Sequence, residues 1–145
     1  MARLIFALIC VLVLHFSKAS CQDENWILFY GNEHSDSYYF NVKNIVQTKT
    51  KILVWVKRVL SEESQEKELI SNANKGVKFY NMDKMKHLID FKNYKYKLMA
   101  SYSYLDEKLL YLENYEDMNS WDDIIPDSII EGELLAVKKY LHIKN

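Results

Sequence analysis

Tyr94-Lys95-Tyr96-Lys97-Leu98-Met99-Ala100-Ser101-Tyr102-Ser103-Tyr104 carries an aromatic or aliphatic residue at every second position. Successive side chains of a strand point to opposite faces, so this period of two predicts a half-buried β-strand. Tyr94, Tyr96, Leu98, Ala100, Tyr102 and Tyr104 are expected on one face, and Lys95, Lys97, Met99, Ser101 and Ser103 on the other. Leu105-Asp106-Glu107-Lys108 follows as a turn, and Leu109 to Tyr115 as the hairpin partner.

Working outward toward the N-terminus, Val77 to Phe91 is mixed and suggests one strand near His87 to Phe91. Ser61 to Asn74 is rich in Ser, Glu, Gln, Lys and Asn, with Leu69-Ile70 as its apolar pair. It reads as a polar excursion between strands that winds at most into a short exposed helix. Lys51 to Leu60 is apolar on both faces in its middle, the pattern of a central strand covered on both sides. Ile45 to Thr48, Tyr38 to Val42 and Trp26 to Tyr30 are further strands, and Gly31-Asn32 closes Trp26 to Tyr30 as a turn signal.

Toward the C-terminus, Ser128-Ile129-Ile130-Glu131 has the spacing of a capping box, with Pro126 just before it. Ile130, Leu134, Val137 and Leu141 then recur at intervals of four, three and four, giving a helix with one apolar stripe. Lys138, Lys139 and Lys144 lie toward its C-terminal end, where the macrodipole favours cations. An antiparallel sheet followed by one amphipathic helix is an α+β fold, with the stripe covering a sheet face.

The first twenty residues set an expectation about compartment. Arg3 precedes an apolar run from Leu4 to Phe16, and Ser17-Lys18-Ala19 places small residues where signal peptidase cuts. Residues 1–20 are therefore expected to be a signal peptide and 21–145 a single domain. The run is shorter than the roughly 20 residues of a membrane-spanning helix. Two fates compete: cleavage after Ala19, or lipid attachment at Cys21, which Ala19 and Ser20 precede as small residues. Without the signal, Lys+Arg falls from 19 to 17 against 20 acids, so the domain is mildly acidic. That argues against a general nucleic-acid binder, which needs a basic stripe. Cys10 leaves with the signal, and Cys21 alone forms no internal disulfide.

No residue pattern declares a reaction. His34, His87 and His142 are far apart and lack partners at metal-ligand spacing, so they read as ordinary surface or edge histidines. Asp122-Asp123 and Glu116-Asp117 flank Trp121 in a turn-rich stretch where acids serve solvation rather than catalysis. Three glycines leave little room for a phosphate-cradling loop. In the Tyr94 to Tyr104 ladder, Tyr and Lys alternate and are expected on opposite faces. A base-stacking surface needs them on one face. Core packing beneath the helix is favoured over a carbohydrate or peptide groove, and both over nucleic acid.

Taken in order, Trp26, Tyr38-Tyr39, Val54-Trp55-Val56-Lys57, Tyr94-Lys95-Tyr96, and Trp121 followed by Ile125-Pro126-Asp127-Ser128 and Glu131 resemble the surface-adhesin E-like family of small exported bacterial proteins. The resemblance spans nearly all of residues 21–145. It implies about six antiparallel strands with a C-terminal helix packed on them. Family members commonly join sheet and helix by a disulfide; Phe91 and Lys138 stand at the positions that would align with its cysteines.

The function expected from all this is a non-enzymatic, exported binding or interaction module without cofactor or metal. It would be periplasmic or outer-membrane and cell-surface associated, with a protein partner or self-association as a homodimer, and no nucleic acid. The alternative is a periplasmic structural or stress protein held to the membrane through lipidated Cys21 and lacking a host ligand.

Overall fold

The computed structural model describes residues 25–32, 34–73, 79–118 and 120–143. The expected signal peptide and Cys21 lie outside the described residues. The strands are β1 (Trp26–Tyr30), β2 (Ser37–Asn41), β3 (Val46–Gln47), β4 (Lys51–Val59), β5 (Met82–Asp90), β6 (Lys95–Leu105), β7 (Lys108–Asn114) and β8 (Asp122–Asp123). The helices are α1 (Glu62–Ala73), between β4 and β5, and α2 (Ile129–Tyr140), after β8. Six strands form one sheet in the order β1-β2-β4-β5-β6-β7, with β3 added beside β4 and β8 beside β6. All pairings are antiparallel. The α+β architecture with a C-terminal helix is the one read from the sequence.

One sheet face is dry. Ile52, Val54 and Val56 of β4 are fully buried and stand across from Ile89, His87 and Met85 of β5. Leu134 and Val137 of α2 join Phe40, Ile52, Val54, Ile89 and Ile124 in a single buried cluster. Ile130 and Leu141, the outer members of the stripe, pack against it half-buried. Burying a side chain such as Leu134 contributes roughly 1.5 to 3 kcal/mol, which is what holds α2 to the sheet. The opposite side chains of β4 (Lys51, Leu53, Trp55 and Lys57) are only half-buried, so this central strand is sealed on one face and not on two.

The helix starts where its cap places it. Ser128 is extended and its hydroxyl accepts from Glu131 N at 3.2 Å. The return half of the capping box is made differently: Glu131 Oε2 accepts from Asp127 N at 2.7 Å, and Oε1 accepts from Tyr94 OH. The polar excursion is a full helix of 12 residues. Ser61 caps it, its hydroxyl accepting from Ser64 N at 3.2 Å, and Glu62 and Glu63 complement the dipole in the first turn. Leu69 and Ile70 are exposed. Strand β5 begins at Met82, five residues before the expected start, because it is drawn along the whole of β4 from Lys51↔Asp90 to Val59↔Met82.

Two turns depend on backbone with positive φ. Gly31 adopts φ +111°, and a Cβ there would lie 2.4 Å from Asp36 O, so a larger residue would have to displace the chain. Asp106 and Glu107 have φ of 47° and 69° in the β6–β7 hairpin, the double left-handed pattern of a two-residue loop whose twist matches the strands.

Candidate functional site

The decisive local feature is a β-bulge in β6. His87 pairs with Leu98 but Lys86 pairs with Ala100, so Met99 is the extra residue and the alternation changes face there. Tyr96 and Leu98 follow Ile89 and His87 onto the face beneath α2. Ala100, Tyr102 and Tyr104 follow Lys86, Lys84 and Met82 onto the other face. This corrects the expectation of a single tyrosine ladder under the helix with its lysines opposite. Tyr94, expected to start that ladder, instead lies in the preceding turn with φ 55°.

The result is an aromatic and lysine face on the side of the sheet away from α2. Lys57 and Lys84 stand directly across from one another, with Tyr39 beyond Lys57 and Tyr102 beyond Lys84. Like charges in register oppose sheet formation slightly. The aromatic rings offset this: Lys57 Nζ lies 5.0 Å from the Trp26 ring and 4.9 Å from Tyr39, and Lys84 Nζ lies 5.1 Å from Tyr104. Trp55 and Tyr102 pack as a tilted pair with centroids 5.4 Å apart. A shallow cleft of about 320 Å³ opens here, lined among the described residues by Trp26, Asn41, Asn44, Trp55, Lys84, Tyr102 and Tyr104, none of them a carboxylate. Asn41 Oδ1 accepts from Lys43 N and Asn44 N, which fixes the loop at its rim. Rigid aromatic surface with cations suits an anionic group carried on an apolar or planar frame.

Beneath α2 the chemistry is different. His87 is buried, and its Nδ1 lies 2.8 Å from Glu133 Oε2. The expectation of a surface or edge histidine is therefore wrong for His87: its register opposite Val54 points it into the core. His34 and His142 are exposed. Close by, Arg58 Nε donates to Asp83 Oδ2 at 3.0 Å, and Ser103 Oγ donates to Asp83 Oδ1 at 2.8 Å. Burial alone would lower the Arg58 pKa, but Asp83 outweighs it and holds the guanidinium above its usual value, always charged. Tyr38 beside it is raised, chiefly by burial.

The acidic pairs are placed as solvated groups. Asp123 reaches Lys95 at 3.4 Å and Glu116 reaches Lys86 at 3.2 Å. Among the described residues no three His, Cys, Asp or Glu side chains gather as a metal site. No helix of the described residues is long and apolar enough to cross a membrane. No motif or spacing in the sequence marks Trp26, Trp55, Lys57, Lys84 or Glu133 as site residues, because only strand register and the helix packing place them. Compared with models of known protein families, with characterised proteins and with solved structures, the chain has no match.

Proposed function

We propose that the protein is an exported, non-enzymatic binding module of the bacterial envelope, adhesin-like, that takes an acidic segment of a protein partner on its aromatic and lysine face. The observation that carries this reading is the Met99 bulge, which turns Tyr102 and Tyr104 away from the helix and sets them beside Trp55, Lys57 and Lys84. Tyr and Trp give large contact area at low entropic loss, and they dominate the energetics of protein interfaces. The two lysines in register supply the charge complement. The resemblance to the surface-adhesin E-like family and the signal-like residues 1–20 favour export, periplasmic or at the cell surface.

The test uses poly-L-glutamate as an acidic polypeptide and heparin as an anionic glycan, with binding followed by tryptophan fluorescence at two salt concentrations. Salt-sensitive binding of poly-L-glutamate that is lost in the Lys57→Glu, Lys84→Glu double variant supports the reading. Binding of heparin alone would move the partner to glycans, and binding of neither would remove the assignment. A second reading, a lipid-held structural or stress protein of the envelope without a host ligand, is favoured by Ala19-Ser20-Cys21. Mass spectrometry of the mature N-terminus separates the two modes of residence: a diacylglyceryl Cys21 marks the membrane-held form.

A further inference from the structure

A second cleft, of about 310 Å³, lies between the first turns of α2 and strands β4 to β6. Its walls are mostly apolar, with Val56, Met85, Leu98 and Ile130, and the side chains of Tyr38, Arg58 and Tyr96 also line it. His87 and Glu133 also line it, with side chains 5% and 0% exposed. Glu133 Oε2 is engaged by His87, but Glu133 Oε1 is buried and has no hydrogen-bond partner among the described residues. A buried carboxylate oxygen without a donor is a rare arrangement, because a carboxylate only accepts and loses its hydration on burial. Arg58, which lines the same cleft, is already engaged by Asp83.

We propose that this cleft is a binding site for a small organic ammonium compound, whose N–H donates to Glu133 Oε1 while its apolar body lies among Val56, Met85, Leu98 and Ile130. The chemistry selects that class. The unsatisfied group is an acceptor in a mostly apolar wall, the Arg58 charge is neutralised by Asp83, and the Tyr38 and Tyr96 hydroxyls can serve as further polar contacts, so the ligand needs a donor for Glu133 Oε1 and an apolar remainder. A charged donor is favoured over a neutral one because charge-assisted bonds to carboxylate are about twice as strong. The volume lies at the small end of ligand pockets, which suits a compound of one ring or a short chain. This site is on the opposite face of the sheet from the aromatic and lysine cleft, so its fate is independent of the function proposed above.

The experiment is a titration of ¹⁵N-labelled protein with benzylamine, with benzyl alcohol as the neutral probe of the same shape. Benzylamine is expected to move the amide signals of Leu98, Ile130 and Glu133, and benzyl alcohol to bind about tenfold more weakly. Glu133→Gln should erase the preference between the probes. Met85→Trp, which fills the cleft and leaves the His87–Glu133 pair in place, should abolish both, and it keeps the test sound if Glu133→Gln does not fold. Absence of shifts with benzylamine, the behaviour of a site that holds water only, would overturn the proposal. Equal binding of the two probes by the unmodified protein would overturn it as well.

Discussion

Glu133 lies three residues after Ile130 and four before Val137, so it falls on the same helical arc as the side chains that pack on the sheet. That position was legible in the sequence, whereas its partner was not: nothing local to His87 says that register places it opposite Val54 and under α2. A buried pair of this kind is poor evidence for stability as a unit, yet breaking it leaves one polar group stranded. Glu133→Ala is therefore expected to lower unfolding free energy by about 3 kcal/mol. The double variant His87→Leu, Glu133→Leu should lose clearly less than the two single leucine changes added together. Urea unfolding of the four proteins in a double-mutant cycle checks this, and simple additivity would deny the coupling. Asp90 gives a pH signature. Burial would raise its pKa, but its Oδ1 accepts from Asn93 N at 3.0 Å and Lys92 N at 3.2 Å, its Oδ2 from Asn93 Nδ2 at 2.9 Å, and the net pKa is lowered. A depressed carboxyl contributes stability that is present above its unfolded pKa, near 4, and is lost as pH falls through the folded value. Asp90→Asn should thus be less stable than the parent at pH 7, with the gap closing toward pH 2.5 in chemical denaturation.

At the scale of elements, most of the sheet was readable because each strand buries one face, and burial writes a period of two into the sequence. Lys51 to Leu60, the β6–β7 hairpin and the Ser128 cap all appear where their residues indicate. The bulge was hidden because Tyr94 to Tyr104 keeps its alternation through Met99, while the structure skips that residue. Both halves of β6 look alike in sequence, and only pairing with β5 shows that one half faces the helix and the other faces away. The first half of β5 is hidden for a related reason: Met82 to Lys86 sets polar residues on both faces, including Asp83, which is buried because Arg58 and Ser103 satisfy it. Helix α2 itself makes a plain test. Leu134 is 1% exposed and Leu135 is 51% exposed. Leu134→Ala should therefore cost about 2 to 5 kcal/mol, while Leu135→Ala stays within about 0.5 kcal/mol of the parent. Equal losses in thermal or urea unfolding would mean that α2 is rotated relative to the sheet.

Viewed whole, the molecule has one sheet face closed by α2 and another that carries aromatic rings and lysines, with β1 and β7 as the two edges of the ordered strands. Edge β7 presents Leu109 and Leu112, 46% and 57% exposed, and although a bulge at Leu110 interrupts its register with β6, these apolar side chains on an edge strand invite pairing with another chain. If the protein self-associates as a homodimer, this edge is the place, and Leu112→Lys should shift the sedimentation profile toward monomer. An unchanged profile of a dimeric parent would exclude it. We propose that the open face of the sheet, and not the helix side, meets an acidic partner. This is tested most directly by mapping backbone amide shifts of labelled protein during titration with poly-L-glutamate. Shifts are expected to gather at Trp55, Lys57, Lys84, Tyr102 and Tyr104, with Leu134 and Val137 unmoved. Shifts confined to α2, or spread evenly with no focus on that face, would contradict it.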